Sequence, residues 1–173
     1  MLNEEIKRFR LAVCLRHPED GCSMVRALGP LSAMMKEDAR LSVSLPPKDA
    51  QGGQECDWHW LCQHDALFIR PTHPVHKAVV AKAQLLGLPV WADFDDLLTE
   101  VSESNPQNKY YPRESTVDYV RSILSMADVS TVTTGALKLA WEREFEIPVD
   151  KIRDRKSTRL NSSHVSESRM PSS

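Results

Sequence analysis

Short apolar runs alternate along this chain with longer segments in which apolar residues recur at helical spacing. The apolar runs have the length of buried strands and lie at 9–15, 41–45, 66–70, 89–92 and 129–132. Helical spacing covers 23–38, 56–63, 75–86, 113–126 and about 133–145. Such alternation predicts βαβ units. We therefore expect an α/β fold, a three-layer Rossmann-like domain with a mostly parallel sheet of about five strands.

Glycine, proline and threonine residues mark the ends of these predicted elements. Gly29-Pro30 is expected to kink or split the first helix, because proline lacks a backbone donor and clashes with the preceding turn. Gly87 stands where a helix C-cap is needed, and Thr133 and Thr134 are N-cap candidates for the last helix. Lys151-Ile152 resembles the first step into a further strand, which we do not expect the chain to complete.

Functional loops in parallel sheets lie outside the carboxyl ends of the strands. In this chain those loops are 16–22, 70–74, 93–96 and 133–135. Candidate site residues are therefore sought there first.

Composition and charge exclude several classes of protein. Of the 173 residues, 41% are hydrophobic and 27% charged, as in an ordinary globular domain that folds without a metal or disulfide. The formal net charge of −2 argues against a general nucleic-acid binder. No apolar run approaches the roughly 20 residues of a membrane helix, and the polar start is no secretory signal. Four cysteines without an export signal indicate reduced thiols, so we predict a cytoplasmic protein.

The last twenty residues differ in amino-acid composition from the rest of the chain. Residues 154–173 contain seven serines and only three large apolar residues, too few to offset the entropy of ordering the segment. The stretch from Arg155 resembles a translated sequencing-library adapter. We predict a disordered, non-native tail at 154–173 and a native domain at 1–153, which has 18 basic and 22 acidic residues and a net charge of −4.

An acidic motif, Asp93-Phe94-Asp95-Asp96, follows the fourth predicted strand. Carboxylates at i and i+2 on a strand-end loop can both reach one Mg²⁺ or Mn²⁺ ion. The alternative is structural: one carboxylate caps the following turn while Phe94 packs inward. The bare pattern does not decide between the two.

Two further clusters contain metal-ligand or acid–base residue types. One cluster consists of residue types that bind zinc, namely Cys56, His59, Cys62 and His64. On a helix, however, their side chains would point in different directions. We therefore favour an amphipathic helix that buries Trp58, Leu61 and Cys62.

His73 lies between two prolines on a strand-end loop, with His76 three residues later. There the imidazole of His73 is a candidate base or a group that holds a substrate hydroxyl. Ordinary surface polarity is the alternative for both histidines. No Gly-x-Gly-x-x-Gly, P-loop or Gly-x-Ser-x-Gly sequence occurs, which argues against dinucleotide, P-loop and α/β-hydrolase functions.

Four stretches together resemble the amino-terminal half of GT-B glycosyltransferases of the group 1 type. They are Gly21-Cys22-Ser23-Met24-Val25-Arg26 with Pro30-Leu31; His64 to Pro71; Gly87 to Asp96; and Ala127 to Thr134. The likeness covers most of residues 9–152, although each motif is short. The Gly-x-Pro-Val strand with its acidic exit is the most specific of the four.

The resemblance implies half of a GT-B fold and a fragment of an enzyme that transfers a sugar from a nucleotide-sugar donor to an unknown acceptor. In that group the amino-terminal domain binds the acceptor and lines the cleft, while a second domain makes most donor contacts. This chain is then truncated and inactive alone, with no metal or other cofactor. The resemblance makes these residues cleft or acceptor-side candidates: Gly21, Arg26, Arg70, His73, Asp93, Asp95 and Asp96.

Two alternatives remain open. One is a metal-dependent GT-A transferase that holds Mg²⁺ or Mn²⁺ through Asp93 and Asp95. The other is a non-catalytic Rossmann-like binding or assembly module. Its receiver-like version is disfavoured, because the first strand ends in Arg16-His17-Pro18 and not in an acidic pair.

Overall fold

A six-stranded parallel sheet forms the centre of the molecule. The computed structural model describes residues 8–48, 56–106, 108–148 and 150–154. Its strand order is β2-β1-β3-β4-β5-β6, and every neighbouring pair is parallel. The strands are β1 Phe9–Cys14, β2 Leu41–Ser44, β3 Ala66–Ile69, β4 Val90–Phe94, β5 Val129–Val132 and β6 Ile152–Asp154. The α/β Rossmann-like prediction is confirmed, with six strands in place of about five.

Helices connect the strands as expected for successive βαβ units. They are α1 Gly21–Ser23, α2 Gly29–Glu37, α3 Trp58–Leu61, α4 Val75–Leu85, α5 Arg113–Met126 and α6 Gly135–Phe145. Two 3-10 turns, Leu98–Glu100 and Asn108–Tyr110, lie between β4 and α5. The predicted end signals hold: Gly87 has a φ of 70°, and the Thr134 hydroxyl accepts from the Leu137 amide.

The first helical segment is divided at the predicted place. A π-helical turn, Met24–Leu28, separates α1 from α2, and Gly29-Pro30 begins α2. The extra residue in this turn moves the chain away from the α-helical register in which the proline ring would clash with the turn before it. The Gly29 amide bonds the Met24 carbonyl, and a Cβ on Gly29 would lie only 2.9 Å from that oxygen. Glycine is therefore needed at this position.

Helix α3 is shorter than predicted and buries a different face. Asp57 begins it by accepting a hydrogen bond from the Trp60 amide at 2.7 Å. Trp60 and Leu61 are buried, whereas Trp58 and Cys62 are exposed. The expectation that Trp58 and Cys62 would be buried was wrong, since four residues make barely one turn.

The two faces of the sheet carry separate apolar clusters. Helices α3 to α6 cover one face, where Trp141 packs edge-on against Phe94 at 4.5 Å between ring centroids. The segment from α1 to α2 covers the β1 side of the other face. Right-handed crossovers explain this division, because only the β1–β2 connection turns back in the strand order.

Strand ends shift two predicted boundaries. Strand β4 runs to Phe94, so Asp93 belongs to the strand and not to the loop after it. Strand β6 forms and reaches Asp154, although we expected the chain to leave it incomplete. Residues 155–173, nearly all of the predicted tail, lie outside the described residues. Within the described ranges, no helix is long and apolar enough to cross a membrane.

Candidate functional site at the carboxyl edge of the sheet

Charged and hydroxyl side chains from four places in the chain meet at the carboxyl edge of the sheet. The charged ones come from the segment after β1, the residue after β3 and the end of β4, and the end of β5 adds threonine hydroxyls. Because parallel strands all end at the same edge, residues distant in sequence become neighbours there. Two buried arginines organise this edge.

Arg26 and Asp93 form the deeper of two ion pairs. The Arg26 guanidinium donates to both carboxylate oxygens, at 2.9 Å and 2.5 Å, and the two residues are only 8% and 1% exposed. Asp93 also accepts from the Thr131 hydroxyl, which lies opposite it in the β4–β5 register. Trp91 Nε1 donates to that hydroxyl at 2.9 Å. The network fixes the π-helical turn to β4 and β5.

Arg70 forms the second pair and ties three loops together. Its guanidinium donates to Asp95 Oδ2 at 2.5 Å, to Ser23 Oγ at 2.8 Å and to Asp20 Oδ1 at 3.4 Å. Partial burial raises the pKa of Asp20, but hydrogen bonds from Ser23 and the charge of Arg70 outweigh it, so the pKa is lowered overall. Arg70 is only 5% exposed, so its guanidinium holds these loops from the interior of the protein and not from its surface.

The acidic motif is already committed to these pairs. Both oxygens of Asp93 accept hydrogen bonds, and Asp95 bonds Arg70. Asp96 as a whole residue is exposed, but its carboxyl is partly buried. This partial burial, together with the charge of Asp95, raises the pKa of Asp96. No group of three or more metal-ligating side chains that could hold an ion occurs among the residues described. The arrangement therefore favours the structural interpretation of Asp93-Phe94-Asp95-Asp96.

The solvent side of the edge consists of other residues. Tyr111 donates its hydroxyl to the Thr72 carbonyl at 3.3 Å, and burial raises its pKa. The exposed Cys22 lies near Asp95, and burial followed by the carboxylate charge raises the pKa of its thiol. A half-buried tyrosine, a thiol and the Asp96 carboxylate are hydrogen-bonding groups that a polar ligand can meet.

His73 is held beside this group by its backbone and its ring. Its Nδ1 accepts from the Val75 amide at 3.3 Å, and its carbonyl accepts from the Tyr119 hydroxyl at 2.9 Å. Burial, with the charge of Arg16, lowers the pKa of the His73 imidazole. A neutral imidazole with Nδ1 as an acceptor leaves Nε2 as the protonated nitrogen, a donor toward a ligand.

A cavity of about 610 Å³ lies next to the edge, between the loop after β1 and helix α4. Basic side chains contribute to its wall, namely Arg16, His17, Lys48 and Lys82, with Glu19 and Asp57 as the acidic ones. Such a space accommodates a small polar molecule. The cavity extends the candidate site toward α4.

His76 lines that cavity but is 3% exposed, and its Nδ1 has no hydrogen-bond partner. Burial lowers its pKa to about 4, helped by the charges of His73, Arg16 and Arg70, whereas an unfolded histidine titrates near 6.5. The unfolded chain therefore binds the proton first as the pH falls. This contribution to stability is complete above about pH 6.5 and is lost as the pH approaches 4.

We therefore expect the free energy of unfolding to fall by about 2 kcal/mol between pH 7 and pH 5, since each pH unit below 6.5 is worth about 1.4 kcal/mol. Urea denaturation at several pH values measures this slope. His76→Leu should reduce the pH dependence of the free energy of unfolding, because leucine binds no proton. His59→Leu, at an exposed position, should leave that pH dependence unchanged. An equal slope in the wild-type and His76→Leu chains would contradict the assignment.

The cysteine and histidine cluster does not assemble into a zinc site. Cys56 faces Cys14, while His59 and Cys62 are exposed. His64 is buried, where its ring bonds Ser44 Oγ at 2.5 Å and the Trp60 carbonyl at 2.8 Å. His64 therefore connects β2 to α3, and the four residue types share only a stretch of sequence.

The structure thus brings most predicted site residues to one edge. Gly21 is exposed as the first residue of α1, with open space where a Cβ would lie, so close backbone approach to a ligand is geometrically allowed. Sequence reasoning missed Asp20, Ser23, Thr131 and Tyr111. Asp20 and Ser23 lie in or next to the predicted strand-end loop 16–22, which was a usable signal. Thr131, within a predicted strand, and Tyr111, in a long polar loop, had none.

Comparisons with known proteins identify no family for this chain. No protein-family model matches the chain, and no curated protein matches it. Among solved structures, the chain is similar to a conserved protein from Enterococcus faecalis, at 12% identity and a TM-score of 0.42. That similarity covers 80% of this chain and 98% of the other. At this level it carries no functional argument, and function has to be argued from the residues.

Proposed function

We propose that this domain is the acceptor-side half of a two-domain glycosyltransferase of the GT-B kind, with a nucleotide sugar as donor. The observation that carries the proposal is the cavity of about 610 Å³ beside the carboxyl end of β1. Rossmann-like sheets bind ligands at that edge. The four stretches that resemble the family contribute the buried network next to the cavity.

The division of roles follows from burial. Arg26, Arg70, Asp93 and Asp95 bond one another, so they position the loops and do not reach a ligand directly. The groups available to an acceptor are His73, Asp96 and Arg16, with Gly21 allowing a close backbone approach. Hydroxyl-rich acceptors suit such a mixture, since each hydroxyl both donates and accepts a hydrogen bond.

No step of this proposal needs a metal ion. A GT-B enzyme stabilises the charge on the leaving diphosphate with helix N-termini and basic side chains. The GT-A alternative requires Asp93 and Asp95 to bind Mg²⁺ or Mn²⁺. Asp93 would then have to exchange its bidentate arginine for the ion, and Arg26 would lose the carboxylate that compensates its buried charge.

Saturation-transfer difference NMR on the 173-residue chain tests the acceptor role. The ligands are neutral oligosaccharides, acidic oligosaccharides and UDP-, GDP- and ADP-sugars. We expect saccharide binding without turnover of any nucleotide sugar, because a second domain would make most donor contacts. Arg16→Ser, at the cavity, should weaken the saccharide signal, whereas Arg121→Ser, on the outer side of α5, should not.

Two results would overturn the proposal. Saccharide signals that are absent, or that survive Arg16→Ser unchanged, would favour the non-catalytic module. Turnover of a nucleotide sugar by the isolated chain would contradict the two-domain division.

A further inference from the structure

Two buried cysteines face each other beneath the cavity. Cys14 is the last residue of β1, and Cys56 precedes α3 by two residues. Their Sγ atoms are 3.1 Å apart, within hydrogen-bond reach for sulfur. The side chains are 3% and 8% exposed, so the pair is shielded from large molecules. The other two cysteines, Cys22 and Cys62, lie at the surface.

The cavity gives small molecules a route to this pair. Cys14 and Cys56 both line it, as do Lys48, Lys82, Arg16 and His17. Lys82 Nζ lies close enough to donate to the Cys56 carbonyl at 3.2 Å. Among the described residues, the other titratable groups that line the cavity are Glu19, Asp57 and the neutral His76. Within this described part of the wall, basic groups outnumber acidic ones.

The two sulfurs differ in character. The hydrogen bond from Cys14 lowers the pKa of Cys56; burial opposes this, and the charge of Lys82 supports it. The same hydrogen bond, together with burial, raises the pKa of Cys14. Cys56 is thus the more acidic of the two thiols, an asymmetry typical of a nucleophilic thiol beside its resolving thiol.

We infer that Cys14 and Cys56 form a modification site at which a hydroperoxide converts the two thiols into an intramolecular disulfide. The Cys56 thiolate attacks the peroxide O–O bond, forming a sulfenic acid and releasing hydroxide. Cys14 sulfur then attacks Cys56 sulfur, and the sulfenic oxygen leaves as water with the Cys14 proton. For hydrogen peroxide, two thiols and one peroxide give one disulfide and two waters.

The geometry favours this outcome over other thiol products. A disulfide needs its sulfurs about 2.05 Å apart, so the pair has to close by only about 1 Å. The sulfenic acid on Cys56 forms with the Cys14 thiol already in contact. Disulfide formation is therefore faster than further oxidation of Cys56 by a second peroxide molecule. The disulfide would link the carboxyl end of β1 to the start of α3 and fix one wall of the cavity.

The test uses a Cys22→Ser/Cys62→Ser chain, in which only the buried pair remains. Hydrogen peroxide is added in molar excess to the folded protein, followed by catalase. We expect titratable thiols to fall from two to zero, the intact mass to decrease by two hydrogen atoms, and dithiothreitol to reverse both. Cys14→Ser in this background should block the disulfide and yield oxygen adducts on Cys56.

Peptide mapping of the wild-type chain gives a second reading that does not depend on the variants folding. Tryptic cleavage places Cys14 in peptide 11–16 and Cys56 in peptide 49–77. We expect these two peptides to be joined after peroxide treatment, and further chymotryptic cleavage after Trp58 or Trp60, which separates Cys56 from Cys62, to leave the bond on Cys56. Persistence of both buried thiols, or disulfides that involve only Cys22 or Cys62, would overturn the inference. This result is independent of saccharide binding.

Discussion

Asp93→Ala is expected to lower the free energy of unfolding by about 3–5 kcal/mol, the cost of removing one partner from a buried ion pair. The substitution takes from Arg26 the carboxylate that accepts both of its hydrogen bonds in the pair, at a position almost closed to solvent. It also removes the acceptor of the Thr131 hydroxyl. Urea denaturation followed by circular dichroism measures the loss as a shift in midpoint.

Two controls separate the charge effect from a general effect of truncation. Asp118→Ala removes the carboxylate of an exposed pair with Arg121 and should change stability by less than about 0.5 kcal/mol. The double variant Arg26→Met/Asp93→Leu should lose less than Asp93→Ala alone, because no buried charge is left uncompensated. A loss from Asp93→Ala as small as that from Asp118→Ala would show that Asp93 is not buried with Arg26.

Replacing Arg70 by leucine is expected to cost about 2–4 kcal/mol. The estimate lies below that for Asp93, because the side chain of Asp95 retains 16% exposure and water partly compensates its charge. Ser23 and Asp20 lose a donor at the same time, so the loop after β1 and the end of β4 are no longer joined. Hydrogen exchange should increase at residues 20–23 and 95–96.

Arg70→Lys keeps the charge but not the three-way fork, so we expect an intermediate loss. Arg113→Leu is the matched control, since Arg113 pairs with Glu144 while remaining 63% exposed. If Arg70→Leu and Arg113→Leu are equally mild, Arg70 does not organise the edge. If stability falls without faster exchange at residues 20–23, the loss comes from elsewhere in the fold.

Much of the fold could be predicted because the apolar pattern records burial directly. Strands such as Leu67 to Ile69 are apolar on both faces, as a sheet covered by two layers requires, and α5 carries its apolar residues at helical spacing. At 23–38 the interruption at Gly29-Pro30 was predicted, but the π-helical turn that leads into it was not. A turn of that kind leaves no periodic signal in the sequence.

The location of the candidate site could be predicted from the sequence, but the pairing of its charged residues could not. Strand-end position identified Asp93 and Asp95, since the carboxyl edge follows from the strand pattern alone, and the family resemblance added Arg26 and Arg70. Their pairing did not follow, because Arg26 meets Asp93 across 67 residues of chain. The sequence left open whether this acidic cluster binds a metal ion. In the structure two of its carboxylates pair with arginines, and the third, Asp96, is exposed.

By itself the sequence determined the α/β class, the order of the elements and the edge at which function is to be sought, because periodicity and strand-end position are local properties. Only the tertiary structure decided which charges neutralise one another, that β6 completes the sheet, and that Cys14 and Cys56 meet below a cavity. These facts depend on strand order and register, which bring together residues 38 to 67 positions apart. No local pattern of residues encodes such distances.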